Sequence, residues 1–122
     1  MSICKDEIKE FPYLQKLSEV MDALKIPITE LFWDENEKGK KPDKYAVYYI
    51  TSEKEELSSD DDTECDCINL TVSFYIRGKF RKIKRAARNE FLAAGFFLST
   101  GYETYESDTK YNHFDFELKF YL

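Results

Sequence analysis

Two stretches of this chain alternate apolar and polar side chains without a break, and that pattern limits the possible folds more than any other feature. Within Cys65–Ile76, the residues Ile68, Leu70, Val72, Phe74 and Ile76 fall in one phase, and Asn69, Thr71, Ser73 and Tyr75 in the other. Within Tyr111–Leu122, Phe114, Phe116, Leu118, Phe120 and Leu122 share a phase, and His113, Asp115, Glu117, Lys119 and Tyr121 take the opposite one. Successive strand side chains point to opposite faces, so each stretch reads as a strand with one face in a core. Such a sheet needs a second layer over its apolar face.

Two helical patterns supply that layer. Pro12 suits a first helical turn, where its missing N–H costs nothing. After it, Leu14, Leu17, Met21 and Leu24 recur at helical spacing, with Val20 beside them and Pro27 as the stop. Between Lys79 and Ala94, Phe80, Ile83, Ala87, Phe91 and Ala94 form a second apolar stripe, and Gly95 stands where a C-cap glycine belongs. A short helix around Ile3 and Ile8 is a further expectation.

The remaining elements follow from local signals. Ile28–Trp33 reads as a first strand and Asp34–Lys44 as a loop marked by Asn36, Gly39 and Pro42. Tyr45–Thr51 is a strand by its aromatic and β-branched content. Phe96–Thr104 is another, open to interruption at Gly101, and a turn centred on Ser107-Asp108 leads into the last strand. The expected fold is α+β in the order α-β-β-β-α-β-β, with two amphipathic helices on one face of a mostly antiparallel sheet. The last two strands are joined too briefly for a parallel crossover. Residues 1–122 suit a single domain. Tyr and Phe on the outward phases suggest that one side of the sheet meets a partner.

Charge is distributed unevenly. Arg77, Lys79, Arg81, Lys82, Lys84, Arg85 and Arg88 give a formal +7 across Arg77–Arg88 with no acid among them. The connector Glu53–Asp66 carries Glu53, Glu55, Glu56, Asp60, Asp61, Asp62, Glu64 and Asp66 against Lys54, a formal −7. Each segment has a plain reading as a solvated surface. Together they suit head-to-tail pairing between copies, which closes into a ring when the rotation permits. The whole chain is at −6 with a pI near 4.9, so it repels nucleic acid at long range, although a local basic patch could bind it.

Chemistry-bearing motifs are sparse. His113 is the single histidine and has no nucleophile signature near it, which reads as a surface histidine. Cys4, Cys65, Cys67 and His113 lack the spacing of common zinc sites. Cys65 and Cys67, two apart on one strand face, would place their Cα atoms ~6.5–7 Å from each other, at the limit for a disulfide. Reduced thiols in an intracellular protein are therefore expected. The Asp60–Asp66 run lacks the glycine and later glutamate of an EF-hand, so it reads as a solvated loop or a weak divalent-ion site. No phosphate loop, HExxH or paired-carboxylate motif stands out, so a non-enzymatic protein without cofactor or metal is expected. No apolar run approaches the ~20 residues of a membrane helix. The charged start Met1–Glu7 is unlike a secretory leader.

One resemblance spans nearly the whole chain. Phe11-Pro12-Tyr13-Leu14-Gln15-Lys16-Leu17 opens a helix, and Lys44-Tyr45-Ala46-Val47-Tyr48-Tyr49 follows a short loop. A polar connector then leads to Ile68-Asn69-Leu70-Thr71-Val72-Ser73-Phe74-Tyr75, a helix, the Ala93-Ala94-Gly95-Phe96 junction and a closing strand of alternating aromatics. This order resembles the tail-completion proteins of long-tailed phages and prophages, the tail-terminator and tail-to-head joining group. The resemblance implies a virion protein, present in the bacterial host cytoplasm during assembly. Its copies would form a ring, expected to be hexameric, between the tail-tube protein and the head connector, and DNA would pass through without being read. Arg81, Lys84, Arg85 and Arg88 are the candidate subunit contact, and Asp60, Asp61, Asp62 and Glu64 the candidate lumen or interface acids. The competing expectation is a nucleic-acid-binding regulator that uses the basic helix 79–94.

Overall fold

In the computed structural model a five-stranded mixed sheet packs with helices. Residues 12–57 and 64–121 are described, the side chains of 52–57 and 64–66 excepted. In chain order the elements are α1 (Pro12–Leu24), β1 (Ile28–Glu30), α2 (Glu35–Lys38), β2 (Lys44–Leu57), β3 (Glu64–Arg77), α3 (Arg81–Ala93), β4 (Phe97–Glu106) and β5 (Tyr111–Tyr121). The sheet order is β1-β2-β3-β5-β4. β2–β3, β3–β5 and β4–β5 are antiparallel, and only the short β1 runs parallel to its neighbour β2. The proposed helix around Ile3 and Ile8, Cys4, and the acids Asp60, Asp61 and Asp62 lie outside the described residues.

The central strand β3 shows why alternation was informative. Leu70, Val72, Phe74 and Ile76 are buried and oppose Leu118, Phe116, Phe114 and Asn112 of β5. The apolar members of these pairs, with Ala46 and Tyr48 of β2, share one core cluster with Tyr13, Leu14, Leu17, Val20 and Met21 of α1 and with Ala87 and Phe91 of α3. Phe80, Ile83 and Phe120 pack against that cluster but are only partly buried. The aromatic centre is dense: Phe74 stacks on Phe114 at 5.0 Å between ring centroids, and Phe116 meets Phe74 and Phe91 edge-on at 5.8 Å.

Both long helices end the same way. After α3, Gly95 takes a left-handed φ of 98°, its N–H donates to Leu92 O, and Phe96 N–H donates to Phe91 O. This is the Schellman pattern with glycine at C′. α1 closes with the same pair of bonds, Lys25 N–H to Asp22 O and Ile26 N–H to Met21 O, with Lys25 at φ 59°. The helix is therefore stopped by this turn at Lys25, two residues before Pro27.

Four further boundaries differ from the sequence reading. The 34–44 loop contains the single-turn α2, capped by Asp34, whose carboxylate accepts from Asn36 N–H at 3.0 Å. The order therefore gains a short third helix. β1 ends at Glu30 rather than Trp33. Much of the acidic connector is not loop, since backbone pairing continues through Glu53↔Ile68, Glu55↔Asp66 and Leu57↔Glu64. α3 begins at Arg81, because Gly78 at φ 93° turns the chain and Asn112 Nδ2 holds that turn through Gly78 O at 2.8 Å.

β4 is not broken at Gly101 but bulged, with a register shift between Thr100 and Glu103. A Cβ on Gly101 would lie 3.0 Å from Asp115 Cβ. Gly101→Val is expected to force the edge strand or Asp115 to move and to lower stability by about 1–3 kcal/mol. A thermal melt superposing on the wild type would show that the strand gives way freely.

Candidate interaction surfaces

The basic run is divided by its surroundings. Arg77, the last residue of β3, is engaged within the chain. Its Nε donates to Thr109 O at 3.0 Å, its Nη1 lies 3.3 Å from Asp43 Oδ1, and its guanidinium sits 4.2 Å above the Tyr111 ring. α3 then opens with Arg81 and Lys82 and has no side-chain hydrogen bond at its N-cap, Phe80. Cations there oppose the helix dipole. Glu103 of β4 offsets them: it accepts from Arg81 Nη1 at 3.3 Å and pairs with Lys84 Nζ. The Lys84 hydrogen bond, aided by both cations, holds the Glu103 carboxyl below its ordinary range. That contribution is present above the ordinary carboxylate pKa and is lost as pH falls.

Of the four residues expected at a subunit contact, Arg81 and Lys84 thus face a carboxylate of their own chain. Arg85 and Arg88 are exposed, as is Lys82, and none of these three has an ion-pair partner among the described residues. Lys82, Arg85 and Asn89 line a shallow groove along the helix. Leu92, one turn beyond Arg88, is 46% exposed. Glu64 begins β3, but its side chain is not described.

The face of the sheet opposite the main core has two different halves. At one end Tyr45, Val47 and Tyr111 form a second small core with Trp33 and Tyr75 against them. Tyr45 stacks on Tyr75 at 4.9 Å, and Trp33 lies 5.4 Å from Tyr45 with its indole N–H donating to Gly39 O. The segment around α2 therefore covers this end. Tyr111 hydroxyl donates to Pro42 O at 2.7 Å. Burial raises the phenols of Tyr45, Tyr75 and Tyr111 above the ordinary tyrosine value, with nearby Glu106 adding to it and Arg77 opposing it at Tyr45 and Tyr111.

These phenols hold protons in the folded chain that the unfolded chain releases. Stability is therefore intact below about pH 10 and declines as pH rises further. Urea midpoints measured across alkaline pH should fall for the wild type and fall less steeply for Tyr45→Phe. Equal slopes would contradict the assignment.

His113 is not an ordinary surface histidine. It is half-buried, stacks on Tyr75 at 4.4 Å and places Nε2 2.8 Å from Asp115 Oδ1. The two residues share a strand face two positions apart, the one sequence signal of their contact. Thr71 and Ser73 are likewise buried despite their outward phase, because they are short side chains on the central strand. Cys67 is also buried. Among the described residues no group of three or more His, Cys, Asp and Glu is placed to hold a metal ion. Cys65 has no described side chain.

Among the described residues, no segment covers the other half of this face. Thr51, Asn69, Thr71, Phe97, Ser99 and Glu117 line a concavity of about 510 Å³. Phe97 is 62% exposed and meets Tyr121 edge-on at 5.4 Å, and Tyr102 on the β4 bulge is 66% exposed. Among the described residues no helix is long and apolar enough to cross a membrane. No protein-family model matches the chain, and no curated protein matches it in sequence.

Proposed function

We propose that this chain is a non-enzymatic, ring-forming subunit that completes the head-proximal end of a long phage or prophage tail. The reading takes the fold as two layers, α1 and α3 on one face of the sheet, in the order α-β-β-β-α-β-β with α2 as a one-turn addition. The shared core cluster of α1, α3 and one phase of β2, β3 and β5 supports that arrangement. The observation that carries the function is the row Lys82, Arg85 and Arg88. It is exposed and has no ion-pair partner among the described residues, on a chain whose 53–66 segment is strongly acidic. Opposite charges presented by separate parts of one subunit favour head-to-tail association.

In this reading the ring, expected to be hexameric, caps the tail tube and docks to the head connector, and DNA passes through its lumen. Asp60, Asp61, Asp62 and Glu64 would then face the lumen or a neighbour, where negative walls do not trap phosphates. The protein would act in the virion and, during assembly, in the bacterial cytoplasm. Tails built without it should overrun in length and fail to join heads, and adding purified protein should restore joining. Normal joining without it would remove the proposal. The same basic row favours one rival, a nucleic-acid-binding regulator. Tight, salt-dependent binding of duplex DNA by the isolated protein would support that rival instead.

A further inference from the structure

The basic row needs an acceptor, and the uncovered half of the sheet has the complementary properties. In the two-layer arrangement the exposed side of α3 and the face bearing Phe97, Tyr102 and Glu117 are opposite sides of one subunit. The α3 side offers three cations and the half-exposed Leu92. The sheet side offers a concavity with exposed aromatic rings and the exposed carboxylate of Glu117. Among the described residues, that carboxylate's one hydrogen bond is a long one from Ser99 Oγ, at 3.4 Å. Cations sit well over aromatic rings, and this chain already uses that contact internally, with Lys84 Nζ 5.6 Å over Phe114. The concavity also borders the part of β2 and β3 whose strands continue into the acidic positions 53–57 and 64–66.

We infer that the uncovered sheet face of one copy receives α3 of a second copy, with Glu117 facing Arg85 and Arg88 and with Phe97 and Tyr102 flanking the helix. This rests on the ring reading and names the surface that reading lacks. Donor and acceptor lie on opposite sides of the subunit, so two copies cannot satisfy both contacts by facing each other. The contact is heterologous and propagates until it closes. Lys119, the basic residue lining this concavity, already lies 5.6 Å over the Tyr121 ring.

The test uses the full chain and two charge-reversed variants, Glu117→Lys and the triple K82E/R85E/R88E. Each should retain wild-type circular dichroism and need at least ~10-fold higher concentration to assemble, as like charges are placed in contact. An equimolar mixture should assemble again, into even-numbered species that alternate the two variants, because every contact in such a ring joins opposite charges. Ser99→Lys, on the adjacent strand, serves in place of Glu117→Lys if the latter unfolds. If Glu117→Lys and Ser99→Lys assemble like the wild type while the triple variant does not, α3 docks elsewhere; the inference fails and the ring reading stands. A mixture that stays dissociated also overturns the inference. If wild-type protein does not assemble up to its solubility limit, the ring reading itself fails and takes the inference with it.

Discussion

Phe116→Ala should lower the free energy of unfolding by about 3–5 kcal/mol, the range for deleting a fully enclosed aromatic ring. Phe116 has no solvent exposure and lies where side chains of β3, β5 and α3 meet. Its ring packs edge-on against Phe74 of β3 and Phe114 of β5, and against Phe91 of α3. Truncation therefore opens a void between the sheet and the helix that no single side chain can fill, so both transfer and cavity terms are lost. Phe97→Ala is the matched control, since Phe97 is largely exposed on β4. It should change stability by no more than ~0.5 kcal/mol. Urea denaturation of both variants gives the comparison. A loss below ~1 kcal/mol at Phe116 would mean that α3 does not seal this part of the core.

The second large effect concerns assembly rather than folding. Reversing Lys82, Arg85 and Arg88 to Glu should weaken self-association at least ~10-fold and leave the fold unchanged. Each exposed pair contributes only ~0.2–1 kcal/mol, but reversal replaces attraction by repulsion at every contact around a ring. Arg81 and Lys84 are better left intact. They neutralise Glu103 and tie the start of α3 to β4, so reversing them would place three carboxylates together and disturb the fold. Sedimentation over a range of concentrations separates the outcomes. Undiminished association by a folded triple variant would remove α3 from the contact.

The parts of the fold legible in sequence were those where one physical signal dominated. β3 and β5 alternate apolar and polar residues with a clean period of two, which places Leu70, Val72, Phe74, Phe114, Phe116 and Leu118 in the core, and α1 and α3 carry an apolar stripe at helical spacing. The extension of β2 to Leu57 was hidden because acidic residues suggest loop, whereas cross-strand pairing with Glu64–Ile68 decides the backbone. α2 was hidden by Gly39 and Pro42, although Asp34 ahead of Glu35 and Asn36 is an N-cap signal. At the candidate contact, the charge of α3 was plain but its division was not. Glu103 lies on another element, so its pairing with Arg81 and Lys84 depends on how β4 packs beside α3. The uncovered half of the sheet was visible only as outward aromatics. That the other half is covered follows from Trp33 and the segment around α2 folding over Tyr45, which no local pattern announces.

The proposed assembly is a closed ring of identical copies held by charge-dependent, head-to-tail contacts. Its most direct test is electron microscopy of the purified wild-type protein, concentrated at low salt and again at high salt. Closed rings of uniform copy number are expected at low salt, with fewer at high salt because exposed ion pairs are screened, and fewer from the triple variant at the same concentration. Monomers at every concentration up to the solubility limit would contradict it.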